Sequence, residues 1–246
     1  MKRKTAFWEL GLLAVIVLGL YGFAGHRYQL RVVEDIEVKF LGDNNLYITE
    51  DAVDKLLIQN HGSLRNLPVD QIVLNTIEEE INANPMVDNA QVFLTHTRSM
   101  VVQVRQRQPI GRVQTLVESF YLDQSGQRMP LSEQFTARVP LITGKVNKAT
   151  LVAVHRILTE VQTDSFLMKN VIGIHIAEED DYRVELRSED YRLHLGNADR
   201  LANKFQKFKA FYAQSLKAEG MRDYEKVSLE FRNQVVCTKK QEHGTN

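Results

Sequence analysis

Between Leu10 and Gly25 the chain carries no charged residue. As a helix, Phe7–Ala24 would be roughly 27 Å long at about 1.5 Å per residue, close to a hydrocarbon core of about 30 Å. Lys2, Arg3 and Lys4 precede it. By the positive-inside rule this basic tip stays cytoplasmic and the bulk of the chain lies outside. Phe7 and Trp8 suit one interface, and Tyr21 and Tyr28 the other. Phe7, Trp8, Leu10, Leu20 and Tyr21 are thus expected to seat a single membrane anchor over 7–25, with 1–6 as its cytoplasmic tip. A cleaved signal peptide is the competing reading, but Tyr21-Gly22-Phe23-Ala24 makes a poor small-residue cleavage site. A buried core helix is the third.

Beyond the anchor the pattern turns globular. In Val32–Phe40, Ile36, Val38 and Phe40 alternate with charge, as in a half-buried strand. Thr49 is placed to cap a helix whose first turn holds Glu50 and Asp51 and whose apolar face is Ala52, Val53, Leu56 and Leu57. Pro68 opens a second expected helix with Ile72, Ile77 and Ile81 in a stripe, stopped by Asn84-Pro85. Ala90–Thr95 and Met100–Arg107 read as strands around the polar turn His96–Ser99. The result is a β-α-α-β-β unit, a domain over 32–108.

A second domain is expected over 109–238. Phe120–Leu122 and Gln127–Met129 flank the turn Asp123-Gln124-Ser125-Gly126, a hairpin signal. Arg138–Ile142 with Gly144 forms a short element. Asn147 can cap a helix carrying Leu151, Val154, Ile157, Leu158 and Val161. Val171–Ala177, Tyr182–Arg187 and Tyr191–Leu195 read as strands. Asp199–Glu219 is the longest helix, with Leu201, Phe205, Phe208, Phe211, Tyr212 and Leu216 on its apolar face. Glu225–Cys237 alternates Val227, Leu229 and Phe231 as a last strand, and 239–246 is a polar tail. The fold class is α+β.

Composition changes the picture little. The 246 residues are 43% hydrophobic and 25% charged, enough to bury a real core. A formal net charge of zero removes the usual electrostatic case for a nucleic-acid partner. One cysteine, Cys237, cannot form an internal disulfide.

Candidate chemistry is sparse. No glycine-rich phosphate loop, no H-E-x-x-H pair and no G-x-S-x-G elbow occurs. His175 and His194 fall on expected strands and could approach each other; His96 lies in a turn and His155 on a helix. Cys237 sits near Lys239 and Lys240, which could lower a thiol pKa, yet no base is identifiable beside it. Glu178-Glu179-Asp180-Asp181 reads as a solvated turn. Arg105, Arg107 and Arg112 read as a solvated strand face or an interaction surface. Catalytic, cofactor and metal residues are expected to be absent, as is a small-molecule substrate, and an interaction protein is favoured over an enzyme.

Several stretches, in order, resemble the FtsQ/DivIB cell-division family. The β-α-α-β-β unit after an anchor resembles a POTRA domain. Asn84-Pro85-Met86-Val87-Asp88-Asn89-Ala90-Gln91-Val92 is similar to the family's P-W-V-x-x-A-x-V junction. Met100–Ile110 resembles the strand closing with E-R-x-P-V. Tyr121–Gly126 resembles the L-x-D-x-x-G hairpin, and Arg138–Gly144 the L-P-x-L-x-G segment. Leu193–Gly196 followed by Leu201–Phe205 resembles the stretch before the long helix. Phe231–Lys239 resembles the Bacteroidetes branch. Met86 stands where Trp is frequent, Gln106 where Glu is frequent, and Leu201–Lys204 lacks the usual Arg.

The resemblance implies a non-enzymatic division scaffold in the inner membrane, with its bulk in the periplasm and enriched at the septum. Its implied partners are FtsB-like and FtsL-like coiled-coil proteins. A C-terminal strand with an exposed edge can pair with a partner strand through main-chain hydrogen bonds. The expected partner-binding strand is Val227, Ser228, Leu229, Glu230, Phe231, Arg232, Asn233, Gln234, Val235 and Val236. Ser228, Glu230, Arg232 and Gln234 would share the outward face, and Tyr212–Met221 would flank it. Two rivals remain. One is a POTRA module in outer-membrane protein assembly or polypeptide export, which normally shows tandem units or a barrel. The other is a periplasmic hydrolase, which needs a nucleophile–base pair.

Overall fold

Two separate hydrophobic cores divide the chain into compact units, Met1–Gln106 and Arg107–Asn246. The structure, a computed structural model, describes residues 11–22, 32–42, 45–217 and 224–240. Residues 11–22 are helical (α1), and Leu12, Leu13, Val15, Ile16, Val17, Leu18, Leu20 and Tyr21 are all exposed on them. Phe7, Trp8 and Leu10 of the expected anchor lie outside the described residues. Among the described residues no helix is long and apolar enough to cross a membrane.

In the first unit β1 (Asp35–Leu41) runs parallel to β3 (Ser99–Gln106), and β2 (Val87–Leu94) runs antiparallel to β3 on its other side. Met100, Val102 and Val104 of the central strand are fully buried with Val53 and Leu57 of α2 (Glu50–His61) and Ile77 and Ile81 of α3 (Leu74–Asn82). The Thr49 hydroxyl accepts from Ala52 N at 3.2 Å, the expected cap. The outer edge of β2 is engaged by α3: Asn82 Oδ1 accepts from Ala90 N at 2.7 Å and Glu78 Oε2 from Val92 N at 3.0 Å.

One expectation here is corrected. The helix opening at Pro68 is broken into a single 3-10 turn, Val69–Gln71, and then α3. Ile72 and Val73 between them are extended. Two consecutive β-branched residues favour extended backbone, and Val73 provides no side-chain cap for α3.

The second unit is a nine-stranded mixed sheet in the order β12-β11-β10-β9-β8-β7-β4-β5-β6. Its strands are β4 (Pro109–Gln114), β5 (Ser119–Asp123), β6 (Arg128–Met129), β7 (Leu141–Gly144), β8 (Val171–Glu178), β9 (Asp181–Leu186), β10 (Arg192–Gly196), β11 (Tyr224–Ser228) and β12 (Val236–Lys239). The apolar faces of α4 (Lys148–Gln162), α5 (Ser165–Asn170) and α6 (Leu201–Lys217) share one core with the sheet. Asn147 caps α4 reciprocally with Thr150, in a capping box. At Gly144, φ is +96°, and a Cβ there would lie 2.1 Å from Ile176 O of β8. Only glycine permits that backbone and that approach of β7 to β8.

Two elements are additional to those expected. β4 carries Pro109, Gly111 and Arg112, a composition with weak strand propensity. It forms because it lies between β7 and β5 in the sheet. α5 is a short helix capped by Asp164, whose Oδ1 accepts from Phe166 N and Leu167 N.

Candidate partner-binding edge

The C-terminal end of the sheet is built on α6, the crossover between the parallel strands β10 and β11. Phe205 and Phe208 are buried in the core. The ring of Phe208 lies 6.0 Å from that of Phe166 and 5.9 Å from that of Tyr212, and Phe211 lies 5.9 Å from Tyr224. Tyr224 opens β11, so this aromatic layer holds the start of the strand. Val227 and Leu229 then enter the core.

The expected single strand Glu225–Cys237 is corrected to a hairpin. Val227 pairs with Cys237 and Ser228 with Val236, antiparallel, and residues 229–235 connect β11 to β12. The connection is pinned from three sides. Leu229 N donates to His194 O of β10 at 2.8 Å. Lys207 of α6 donates to Leu229 O at 3.3 Å and also to Phe231 O. Ser228 Oγ donates to Glu230 Oε2 at 2.8 Å, and the Glu230 chain lies over Gly196, where a Cβ would come within 2.7 Å of its Cγ.

Beneath this, Lys204 is buried, 3% exposed. Its ammonium donates to Leu195 O, Asn197 O and Asn197 Oδ1 at 2.8–2.9 Å. Burial, then the nearby Arg200, lowers its pKa. Lys204 thereby ties α6 to the end of β10 at Gly196, whose φ is +64°.

The expected outward face does not exist as drawn. Ser228 is buried, and Glu230, Arg232 and Gln234 lie on a connection rather than a strand. Arg232, Asn233 and Gln234 are exposed, Phe231 is 47% exposed and Val236 37%. Val235 and Cys237 turn inward and pack half-buried against the core. The free backbone edge belongs to β12: it ends the sheet and pairs only with β11 among the described residues. Of the expected flank, Tyr212 belongs to the aromatic layer, and 218–223 lie outside the described residues.

His175 and His194 are one strand apart. Both pair with Arg183 of β9, from opposite sides. His175 Nδ1 is 3.0 Å from Thr143 Oγ1. His194 lies 3.6 Å from Asp181 and 3.7 Å from Glu230. Burial, with Lys226 beside it, outweighs those carboxylates and lowers its pKa. Burial pushes the Cys237 thiol up, away from the reactive thiolate. Arg107 forms an ion pair with buried Asp123 at 2.8 Å. Among the described residues no three His, Cys, Asp or Glu side chains are grouped to hold a metal.

Residues 31–105 match a POTRA-like domain. Residues 108–238 match the family described as FtsQ/DivIB, C-terminal related, which takes in all of the β4–β12 sheet but the last residue of β12, and more than half of the chain. The chain belongs to the FtsQ/DivIB family. That is a family of cell-division proteins. No curated protein matches this FtsQ/DivIB member. Among solved structures it is similar to the major extracytoplasmic domain of the trans isomer of the bacterial cell-division protein DivIB from Geobacillus stearothermophilus, at 14% identity. That likeness covers 46% of this chain and 96% of the other, with a TM-score of 0.34, too loose to argue from.

Proposed function

We propose that this FtsQ/DivIB member is an extracytoplasmic division scaffold that captures a partner strand on the outer edge of β12. The observation that carries the reading is the open edge of Val236–Lys239, held beside an exposed and pinned connection. An unpaired strand edge is a template for main-chain pairing. Phe231 and Val236 add exposed apolar surface beside it, and Arg232, Asn233 and Gln234 supply polar recognition. The family resemblance points to FtsB-like and FtsL-like proteins as the incoming chains.

Localisation follows the same reading. The apolar side chains exposed along α1 continue the uncharged stretch that starts at Leu10, which supports a membrane-seated N-terminal segment; that it stays uncleaved in the inner membrane, with the bulk in the periplasm and enrichment at the septum, rests on the poor cleavage site and the family resemblance. N-terminal sequencing of the mature protein tests the anchor: an intact N-terminus is expected, and a new one after Ala24 would overturn it.

A proline scan of Val236, Cys237 and Thr238 tests the edge. Successive residues of β12 alternate between pointing their amides at β11 and pointing them outward. A proline that removes an outward amide leaves melting unchanged and is expected to abolish co-purification of the FtsB-like protein. Retained co-purification by every stably folded proline variant would sink the β12 edge as the binding site.

A further inference from the structure

We propose that the outer edge of β1 pairs with the same edge of a second copy of this chain, antiparallel and centred on Val38. β1 ends its sheet and pairs only with β3. Among the described residues, the outward main-chain groups of Asp35–Leu41 have no hydrogen-bond partner. The opposite edge of the same sheet is closed, because α3 side chains occupy the amides of Ala90 and Val92. A strand of 7 residues left open in this way is a template for another strand.

The residues along β1 select that strand. Asp35, Glu37, Lys39 and Leu41 are exposed, and Ile36, Val38 and Phe40 lie half-buried against the core. Turned antiparallel about Val38, β1 sets Glu37 opposite Lys39, Lys39 opposite Glu37, and Ile36 opposite Phe40. Both charge pairs then have opposite signs, and each half-buried residue meets another apolar one. Registers centred on Glu37 or on Lys39 bring like charges face to face, as does a parallel two-fold pairing. Glu37 and Lys39 are already ion-paired along their own strand at 2.9 Å. The second copy lays the reversed pair beside it. Each charge keeps its neighbour and gains one across the two-fold, so four charges alternate around a square. Exposed pairs of this kind fix the register and add little affinity. Asp35 stays with Arg65, at 3.1 Å, and faces Leu41 at the end of the strand.

The apolar side agrees. A cleft of about 290 Å³ lies between β1, α2 and the loop that follows, lined in part by Ile36, Leu57, Ile58 and Leu64. Ile58 is 60% exposed there. Phe40 of the second copy, set opposite Ile36, is placed beside this cleft. The two-fold runs perpendicular to the sheet, so the two sheets continue into one with all the helices on the same side, an isologous and closed arrangement. An edge of 7 residues a side covers less than the roughly 1,600 Å² of a standard interface, so the pairing is weak and reversible. It belongs to the first unit and uses none of the β12 edge.

The test uses the full chain in detergent micelles, in a Cys237→Ser background. Chains carrying Glu37→Cys are mixed with chains carrying Lys39→Cys and oxidised at about 100 µM protein. A disulfide-linked dimer is expected from the mixture. Neither variant alone should link, because its two cysteines then lie diagonally, beyond the roughly 7 Å Cα separation that a disulfide spans. Separately, Glu37→Lys should weaken self-association about tenfold by sedimentation, and Glu37→Lys/Lys39→Glu should restore it. No cross-link in the mixture, equal cross-linking by either variant alone, or failure of the swapped pair to restore association would each overturn the contact.

Discussion

Gln106 shows how one side chain decides a local structure. It is buried, accepts from Tyr47 N at 2.9 Å and donates to Ile48 O at 2.7 Å. An amide does both without a change of protonation; an ionised carboxylate in that place has no hydrogen to give Ile48 O, and keeping the bond would require it to hold a proton at neutral pH. Gln106→Glu is therefore expected to destabilise the first unit by about 2–3 kcal/mol, read by urea denaturation. His194 carries a pH signature. Its pKa is lowered from the ordinary 6.5. Below that value the unfolded chain takes up a proton that the folded chain refuses, so this group's contribution to stability falls as pH drops. His194→Gln is expected to flatten the stability slope on the acid side of pH 6.5, measured by denaturation across pH.

At the scale of elements, the pairing of β7 with β8 hangs on Gly144. Gly144→Ala puts a methyl group into Ile176 O at a positive φ, and neither backbone can yield without breaking the ladder. A loss of about 3 kcal/mol or more is expected, visible as a lowered melting temperature. The α6–β11–β12 assembly depends in the same way on Lys204. Lys204→Met leaves Leu195 O and Asn197 O without their donor. A cost of about 2–4 kcal/mol is expected by chemical denaturation, together with weaker partner co-purification, because the connection 229–235 rests on the same end of β10.

At the scale of the molecule, each unit has its own core. Residues 107–240 expressed alone are expected to unfold cooperatively and to keep the partner binding proposed for the β12 edge. A noncooperative melt would contradict the two-core division. In the cell, depletion of the full chain is expected to block septation, and imaging of normal septa would sink the division role.

What the sequence determined by itself is local. The caps at Thr49 and Asn147, the alternation through β1, β8 and β9, and the apolar face of α6 are set by periodicity and short-range hydrogen bonding, which a linear pattern records. The order of family motifs is likewise a property of the chain. Tertiary structure decided the rest. β4 is a strand because β7 and β5 flank it, despite Pro109 and Gly111. The candidate site shifted for the same reason. Val227, Leu229 and Phe231 alternate as a strand should, yet the bond from Leu229 N to His194 O and those from Lys207 hold the chain off the strand path after Ser228, so the free edge falls to Val236–Lys239. Those partners lie far away in sequence, and a pattern of polar and apolar positions carries no record of which distant carbonyl or lysine a residue will meet.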